Sequence, residues 1–490
     1  MSSEAINYRQ LQESFVSNHT GTTVLEVSQV ISTTVLSAFL RSALLLLVES
    51  YTDSASWFSS PWKVYMLEFP CLILPTLLSA TTFSDNLSNL QITMVFIAIG
   101  TILHGMYSLN EFRCSLLYAR LKEFPSDEIN TNKLDYISSF KAYTLIGTVI
   151  SILAVDFTVY PRRYCKTEVY GTGLMDVGVG LFILSNAVVS PEARNMTISC
   201  KVGFHRVWKS VFSSWPLLLL GIVRTVVTKG IEYQEHVTEY GTHWNFFFTL
   251  AAVKIFSSIT SYILPHRYWK FLAALFATVY QYCLTSRGLN QYIQQGFDGH
   301  GGRHGFIDSN REGILSNLGY FVLYLLGVEI GVMIFQKERH TILDNFTLFL
   351  QLSMYGIMAF TALPFVTHIE PVSRRFVNLP YIIWVIGVGL QQIASFLLVD
   401  LIFKFVDYLR STKECKNNSS QVCYSLIESV NYNSLLYFLL ANFLTGMVNL
   451  TLKTILVPPL QSMFIIIIYM FVLSSISFFL YVYKLKFKFW

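Results

Sequence analysis

Asp156 ends an apolar run of the chain, and Lys166 follows shortly after it, across Pro161, Arg162 and Arg163. A carboxylate at the end of a membrane-length segment is partly desolvated, which raises its pKa, and a nearby lysine lowers it again. Such a group can act as general base toward a hydroxyl. The lysine can steady the base or stabilise an oxyanion. A structural ion pair that fixes the loop explains the same two residues. Arg162 and Arg163 carry guanidinium forks that bind phosphate bidentately, or that snorkel to lipid headgroups. Either way phosphate lies near this loop. Glu168 follows, and Asp176 sits in the first turn of the next apolar run. Charges packed between two membrane-length segments are costly to place there and mark a candidate site.

Four further groups carry polar chemistry. In the run from Glu232 to Asn245, a helix before Gly241 would put Glu232, His236, Glu239 and Tyr240 on one face. With Glu235, His243, Trp244 and Asn245 they read as the wall of a pocket for a polyol, or as an ordinary polar loop. The spacing matches no standard metal set, so no metal is expected. Asn310, Arg311 and Glu312 follow a Gly- and His-rich loop at 294–306 that contains Arg303. Arg374 and Arg375 precede Asn378. These basic groups could meet an anion. Asn442, Thr445 and Asn449 share a helix face, which in a membrane reads as helix-to-helix hydrogen bonding. No GxSxG, GxGxxG or GxxxxGK[ST] motif occurs.

The elements that hold these residues follow from composition. The chain has 490 residues, of which 53% are hydrophobic and only 13% charged. Its mean hydropathy is +0.48. A soluble domain is about 25% charged. The chain is therefore expected to be an all-α polytopic membrane protein, 1–490 in one domain, with no large soluble part. The net charge of +5 is small and spread over loops, which argues against nucleic-acid binding. Seven cysteines at irregular spacing suggest neither a disulfide framework nor a zinc site.

A span needs roughly 20 apolar residues. Windows near 25–49, 63–81, 90–110, 137–158, 173–190, 210–228, 243–264, 268–286, 313–335, 343–365, 379–404, 431–452 and 459–485 qualify, about thirteen helices in all. Alternate loops hold roughly twenty Lys and Arg on one side against about eleven on the other, so the richer side is expected to be cytosolic. The N-terminus, 1–24, is then lumenal and the tail, 486–490, cytosolic. Lys486 and Lys488 resemble a dilysine retrieval signal, or are simply basic residues at a helix end. On the lumenal side the basic residues cluster beside acids. Asn18 and Asn86 lie there in glycosylation sequons. A transporter or flippase would explain many helices and the intramembrane Arg224, Glu329 and Asp400, but it predicts broken spans in two related halves. None is visible.

The motif from Ile152 to Gly180 resembles the inositol acyltransferases of GPI-anchor biosynthesis. That is the family of the phosphatidylinositol-glycan class W protein and the fungal GPI-anchored wall transfer protein. Tyr233 to Thr249, Asn310 to Ile314, Val372 to Tyr381 and Phe15 to Val27 are similar to the same family, in the same order. The chain departs from it at Thr158 and at Tyr164-Cys165, which flank the polar residues and leave them in place. The resemblance implies transfer of a long acyl chain, typically palmitoyl, from acyl-CoA to an inositol 2-hydroxyl of glucosaminyl-phosphatidylinositol. It implies an endoplasmic reticulum membrane location with lumenal site loops. It gives acyl-CoA as co-substrate and no permanently bound cofactor, and it carries the catalytic roles to Asp156 and Lys166. A different membrane acyltransferase, acting on a lumenal glycan, is the nearest rival.

Overall fold

The computed structural model describes residues 11, 14–15, 17–51, 57, 59–108, 134–194, 204–230, 237–335, 339, 341–410 and 424–487. Each window named above falls mainly on helix among the described residues. In chain order the main helices are α1 (Val24–Tyr51), α2 (Pro61–Leu72), α3 (Leu74–Ala80), α4 (Leu87–Ser108), α5 (Asp135–Ala154) and α6 (Leu174–Val188). They continue with α7 (Trp215–Gly230), α8 (Val237–Tyr240), α9 (Phe246–Ile263), α10 (Trp269–Ser286) and α11 (Arg311–Phe335). The last four are α12 (Ile342–Thr367), α13 (Leu379–Arg410), α14 (Ser434–Thr451) and α15 (Pro459–Val482).

Among the described residues, 11 helices are long and apolar enough to cross a membrane. Two of the thirteen windows fall outside that set for different reasons. α6 has only 15 residues, with the polar loop ending at Gly173 before it and Asp176 inside its first turn. α10 is long enough, but Lys270 and Gln281 dilute its apolar content. α2 and α3 form one span, interrupted at Ile73 between Pro70 and Pro75. Proline removes an N–H and clashes with the preceding turn, so the break falls where the sequence puts it.

Burial separates a centre from a rim. The α13 span is 72% buried and those of α5 and α11 are each 67% buried. The α4 and α14 spans are each only 17% buried. The core runs through α5, α6, α11 and α13, with Phe140, Val149, Leu153, Leu184, Val328, Trp384 and Val385 all buried. The peripheral helices expose Phe96, Leu103, Ile357, Phe443 and Phe464, as a lipid-facing surface requires.

The polar segments meet at one end of this bundle. Residues 155–173 reach the N-terminal stretch through Glu168 N to His19 O (3.2 Å) and Thr22 N to Thr172 O (2.7 Å). Gly171 N donates to Val372 O at 2.8 Å, and Thr242 N to Ser309 O at 3.0 Å. Gly21 has φ +81, and a Cβ there would lie 2.7 Å from the Thr172 carbonyl oxygen. Only glycine allows the two backbones to approach so closely.

Candidate active site

α5 stops at Ala154, and the chain turns through Val155–Tyr160 before it reaches Pro161. A helix end leaves carbonyls without partners. Arg162 supplies them. Its guanidinium donates to Val155 O at 3.0 Å, to Phe157 O at 2.9 Å and to Tyr160 O at 2.8 Å. Its Cζ also stands 3.9 Å from the centre of the Phe15 ring. The expected phosphate fork is thus spent on the loop's own backbone. Arg163 pairs with Glu26 (2.7 Å) and Asp85 (2.6 Å), which ties the loop to α1 and to the turn before α4.

Asp156 lies in this turn, half-buried. Its Oδ2 accepts from Asn449 Nδ2 of α14 at 2.8 Å. No donor reaches Oδ1 among the described residues. Desolvation raises its pKa to about 6, and the Asn449 hydrogen bond, Arg162 and Lys166 oppose the rise. The loop therefore presents a carboxylate more basic than usual, with one oxygen held and the other open.

Lys166 is not ion-paired with Asp156. Its Nζ sits 2.8 Å from Glu239 Oε2. Glu239 also takes Arg374 Nη1 at 3.0 Å, and Arg374 Nε reaches Asp176 Oδ1 at 2.8 Å. Four charges thus run in a line, Asp176–Arg374–Glu239–Lys166. Exposure rises along it, from a fully buried Asp176 to a Lys166 side chain that is 37% exposed. The carboxyl of Glu239 is desolvated, but the two cations win and hold it down to about 2. Asp176 additionally accepts from Gly173 N and Thr167 N, so it closes the first turn of α6 and clamps the loop's return.

The other predicted residues divide between this chain and its supports. Glu168 accepts from Asn18 N and Thr238 Oγ1 and joins the N-terminal stretch to α8. Asn310 Oδ1 accepts from the backbone N–H of His243 (2.8 Å) and Trp244 (2.9 Å). Trp244 donates to Thr249 and packs its ring on Phe248, with Gly313 directly beneath it. It fills space and is no open stacking surface. Asn245 caps α9 and donates to Gly221 O of α7 at 2.8 Å. Arg311 is buried and holds Ile293 O, Gly302 O and Asp308. Glu312 pairs with Arg303 and Arg375 at 2.7 Å and 2.9 Å.

Asn378 bonds Ser373 N, Tyr381 N, Pro371 O and Glu370, and so shapes the turn that carries both arginines. That turn holds Val377 at φ +50. A β-branched residue there costs on the order of 1–3 kcal/mol. The buried bonds of Asn378 offset it.

The guanidinium groups of Arg162, Arg311, Arg374 and Arg375 each bond to the protein, Arg375 through Nη2 while its Nε is buried without a partner. Glu232, Glu235, His236 and Lys488 lie outside the described residues. The sequons are exposed at Asn18 and Asn86. Among the described residues no cluster of His, Cys, Asp and Glu could hold a metal.

Sequence reasoning missed three partners. Glu26 binds Arg163 and Tyr164. Glu370 binds Tyr170, Gln281 and Asn378. Asn449 binds Asp156. Only Asn449 left a signal, as one of three polar residues on a face of an otherwise apolar helix.

A sequence profile of the GWT1 family matches residues 8–480. The "Glucosaminyl-phosphatidylinositol-acyltransferase PIGW" of Bos taurus is 34% identical over 510 residues, covering 99% of this chain and 100% of its own. The protein of the same name from Homo sapiens is 34% identical over 509 residues, 98% of this chain and 99% of its own. The "GPI-anchored wall transfer protein 1" of Saccharomyces cerevisiae is 32% identical over 446 residues, 85% of this chain and 87% of its own. A family profile over residues 8–480 and near full-length relatives at 34% identity place the chain in the GWT1 family.

Proposed function

We propose that this protein transfers a long acyl chain, typically palmitoyl, from acyl-CoA to the inositol 2-hydroxyl of glucosaminyl-phosphatidylinositol during GPI-anchor biosynthesis. It acts in the endoplasmic reticulum membrane with its site loops on the lumenal face. The observation that carries the reading is Asp156, an unusually basic carboxylate with one oxygen held by Asn449 and with the Lys166 ammonium on the same loop, in a chain of this family.

The step balances without a covalent enzyme intermediate. Asp156 Oδ1 takes the inositol hydroxyl proton as that oxygen attacks the thioester carbonyl. Charge develops on the carbonyl oxygen, and the Lys166 ammonium stabilises it. Collapse breaks the C–S bond and expels CoA as a thiolate. A thiol has a pKa near 8.5, above that of Asp156, so the proton passes downhill from Asp156 to sulfur. Cys165 is an unsuitable nucleophile. It is buried, and desolvation pushes its thiol up to about 11.

Labelled palmitoyl-CoA and glucosaminyl-phosphatidylinositol, supplied to membranes containing the protein, should yield an acylated, more apolar lipid. Movement of the lipid between leaflets without acylation overturns the reading in favour of a flippase. The acidic limb of kcat/KM should fall at about pH 6. Above it Asp156 is a carboxylate and accepts the proton. Below it the group is protonated, and activity drops tenfold per pH unit. A flat profile from pH 5 to 8 excludes Asp156 as base.

Lys166→Ala should lower kcat by about 10²-fold, as loss of an oxyanion partner does. It should also move the acidic limb to higher pH, because a cation that favours the carboxylate has gone. Glu239 keeps Arg374 in that variant, so the protein should remain folded.

A further inference from the structure

Asp156 is held by a neutral side chain and forms no ion pair among the described residues. Asp176, Glu239 and Glu312 each face one or two cations at 2.7–3.0 Å. Asp156 instead meets the amide of Asn449 at 2.8 Å. An amide oxygen facing a carboxylate would be repelled, so the NH₂ end must be the one that faces it. The other groups that face Asp156 are Arg162, Lys166 and the Cys165 thiol, all on its own loop.

Asn449 comes from an unexpected place. α14 is a rim helix whose span is 17% buried. Its neighbour on the polar face, Asn442, donates to Phe438 O of its own helix and makes no other hydrogen bond among the described residues. Asn449 is half-buried, two residues from the C-terminal end of α14, where that helix meets the loop carrying Asp156. A buried polar side chain is costly unless it finds a partner. The helix is nevertheless registered against the site. Tyr469 Oη of α15 lies 3.1 Å from Val149 O of α5 and 3.4 Å from Ala441 O of α14. One hydroxyl thereby pins the helix that leads into Asp156 to the helix that carries Asn449.

We propose that Asn449 is the positioning residue for Asp156: its amide ties down Oδ2 and so presents Oδ1 to the acceptor hydroxyl. The inference rests on the reading of Asp156 as general base. Two physical consequences distinguish this role from packing. A neutral donor fixes the carboxylate's orientation, and orientation errors near 1 Å cost about 10²-fold in rate. It also leaves the carboxylate basic, where a cation would quench it as Arg374 and Lys166 quench Glu239.

The test is the pH profile of acyl transfer by the full-length protein in membranes, with palmitoyl-CoA as donor. Asn449→Leu should lower kcat about 10- to 100-fold, with KM for acyl-CoA within about twofold of the parent. Its acidic limb should move to higher pH, since a donor that favours the charged form is lost. Asn449→Gln keeps the donor and should hold the limb at the parent position, with part of the rate restored. Asn449→Asp keeps the size and shape of asparagine but sets a second carboxylate on Asp156. The pair then titrates together, and the limb should move further up.

A limb at the parent pH in both Asn449→Leu and Asn449→Asp, with kcat unchanged, overturns the proposal and leaves a packing role. Should the leucine variant fail to fold, the near-isosteric aspartate variant decides alone. Asp156→Asn separates the two levels. Activity in that variant sinks the base assignment itself. Inactivity there, with unmoved limbs in the Asn449 variants, sinks only the role of Asn449.

Discussion

Asp156→Asn should abolish acyl transfer, by about 10²- to 10⁴-fold in kcat/KM, while the protein accumulates at the parent level. The substitution removes the proton acceptor and almost nothing else. An asparagine at 156 still offers an oxygen to Asn449 Nδ2, so the link between the α5 turn and α14 survives. No ion pair is broken, because none was made. The loss should appear as kcat with little change in KM, since the hydroxyl is bound in the ground state by other groups. Size-exclusion elution and thermal unfolding in detergent should match the parent. Normal turnover in a folded Asp156→Asn protein would show that another group takes the proton.

The second large effect is on the fold. Arg374→Leu should destabilise the protein by about 3–5 kcal/mol. The guanidinium is 4% exposed and sits between Asp176 and Glu239. The pairs themselves are weak evidence for stability, because burying three charges carries a large desolvation cost. Removing the middle one is different, because it strands a fully buried Asp176. Glu239 fares better, since Lys166 remains on its other oxygen at 2.8 Å. Arg374→Lys should rescue only partly. An ammonium is a point charge and cannot address two carboxylates from one rigid plane. The measurement is the melting temperature in detergent together with the yield of monodisperse protein. An unchanged melting temperature would mean that the buried acids take up protons at little cost. The Glu239 half of this chain has a definite pH sign. Its folded carboxyl lies near 2 against 4.5 ordinarily. Its contribution is therefore present above about 4.5 and is lost as pH falls toward 2.

These two residues show what the sequence could and could not reveal. Spans were legible because about 20 apolar residues must occur together to cross a bilayer, and each such window is helical here. The shortness of α6 was not, since the apolar window does not show where the helix starts and stops. Asp156 and Lys166 stood out by type and by position at a membrane edge. Their partners did not, because pairing is decided by which helices pack together. Lys166 finds Glu239 from α8 and Asp156 finds Asn449 from α14, both far away in the chain. The arginines were misleading for a related reason. A guanidinium fork suits a phosphate and a cluster of carbonyls or carboxylates equally well. Only the fold reveals that Arg162 and Arg311 serve the backbone while Arg374 and Arg375 serve buried acids.

Phe15, His19, Thr22 and Glu26 of the N-terminal stretch brace the loop of the candidate site. Phe15 lies under Arg162, His19 and Thr22 hold the loop backbone, and Glu26 holds Arg163. For anyone who handles the protein this decides which end to leave alone. An affinity tag or fluorescent fusion placed close before Phe15, or a trimmed start at Val24, would disturb the contacts that hold the Asp156 loop and should read out as reduced acyl transfer. A label after the last helix would sit at the far face of the bundle and leave the chemistry untouched.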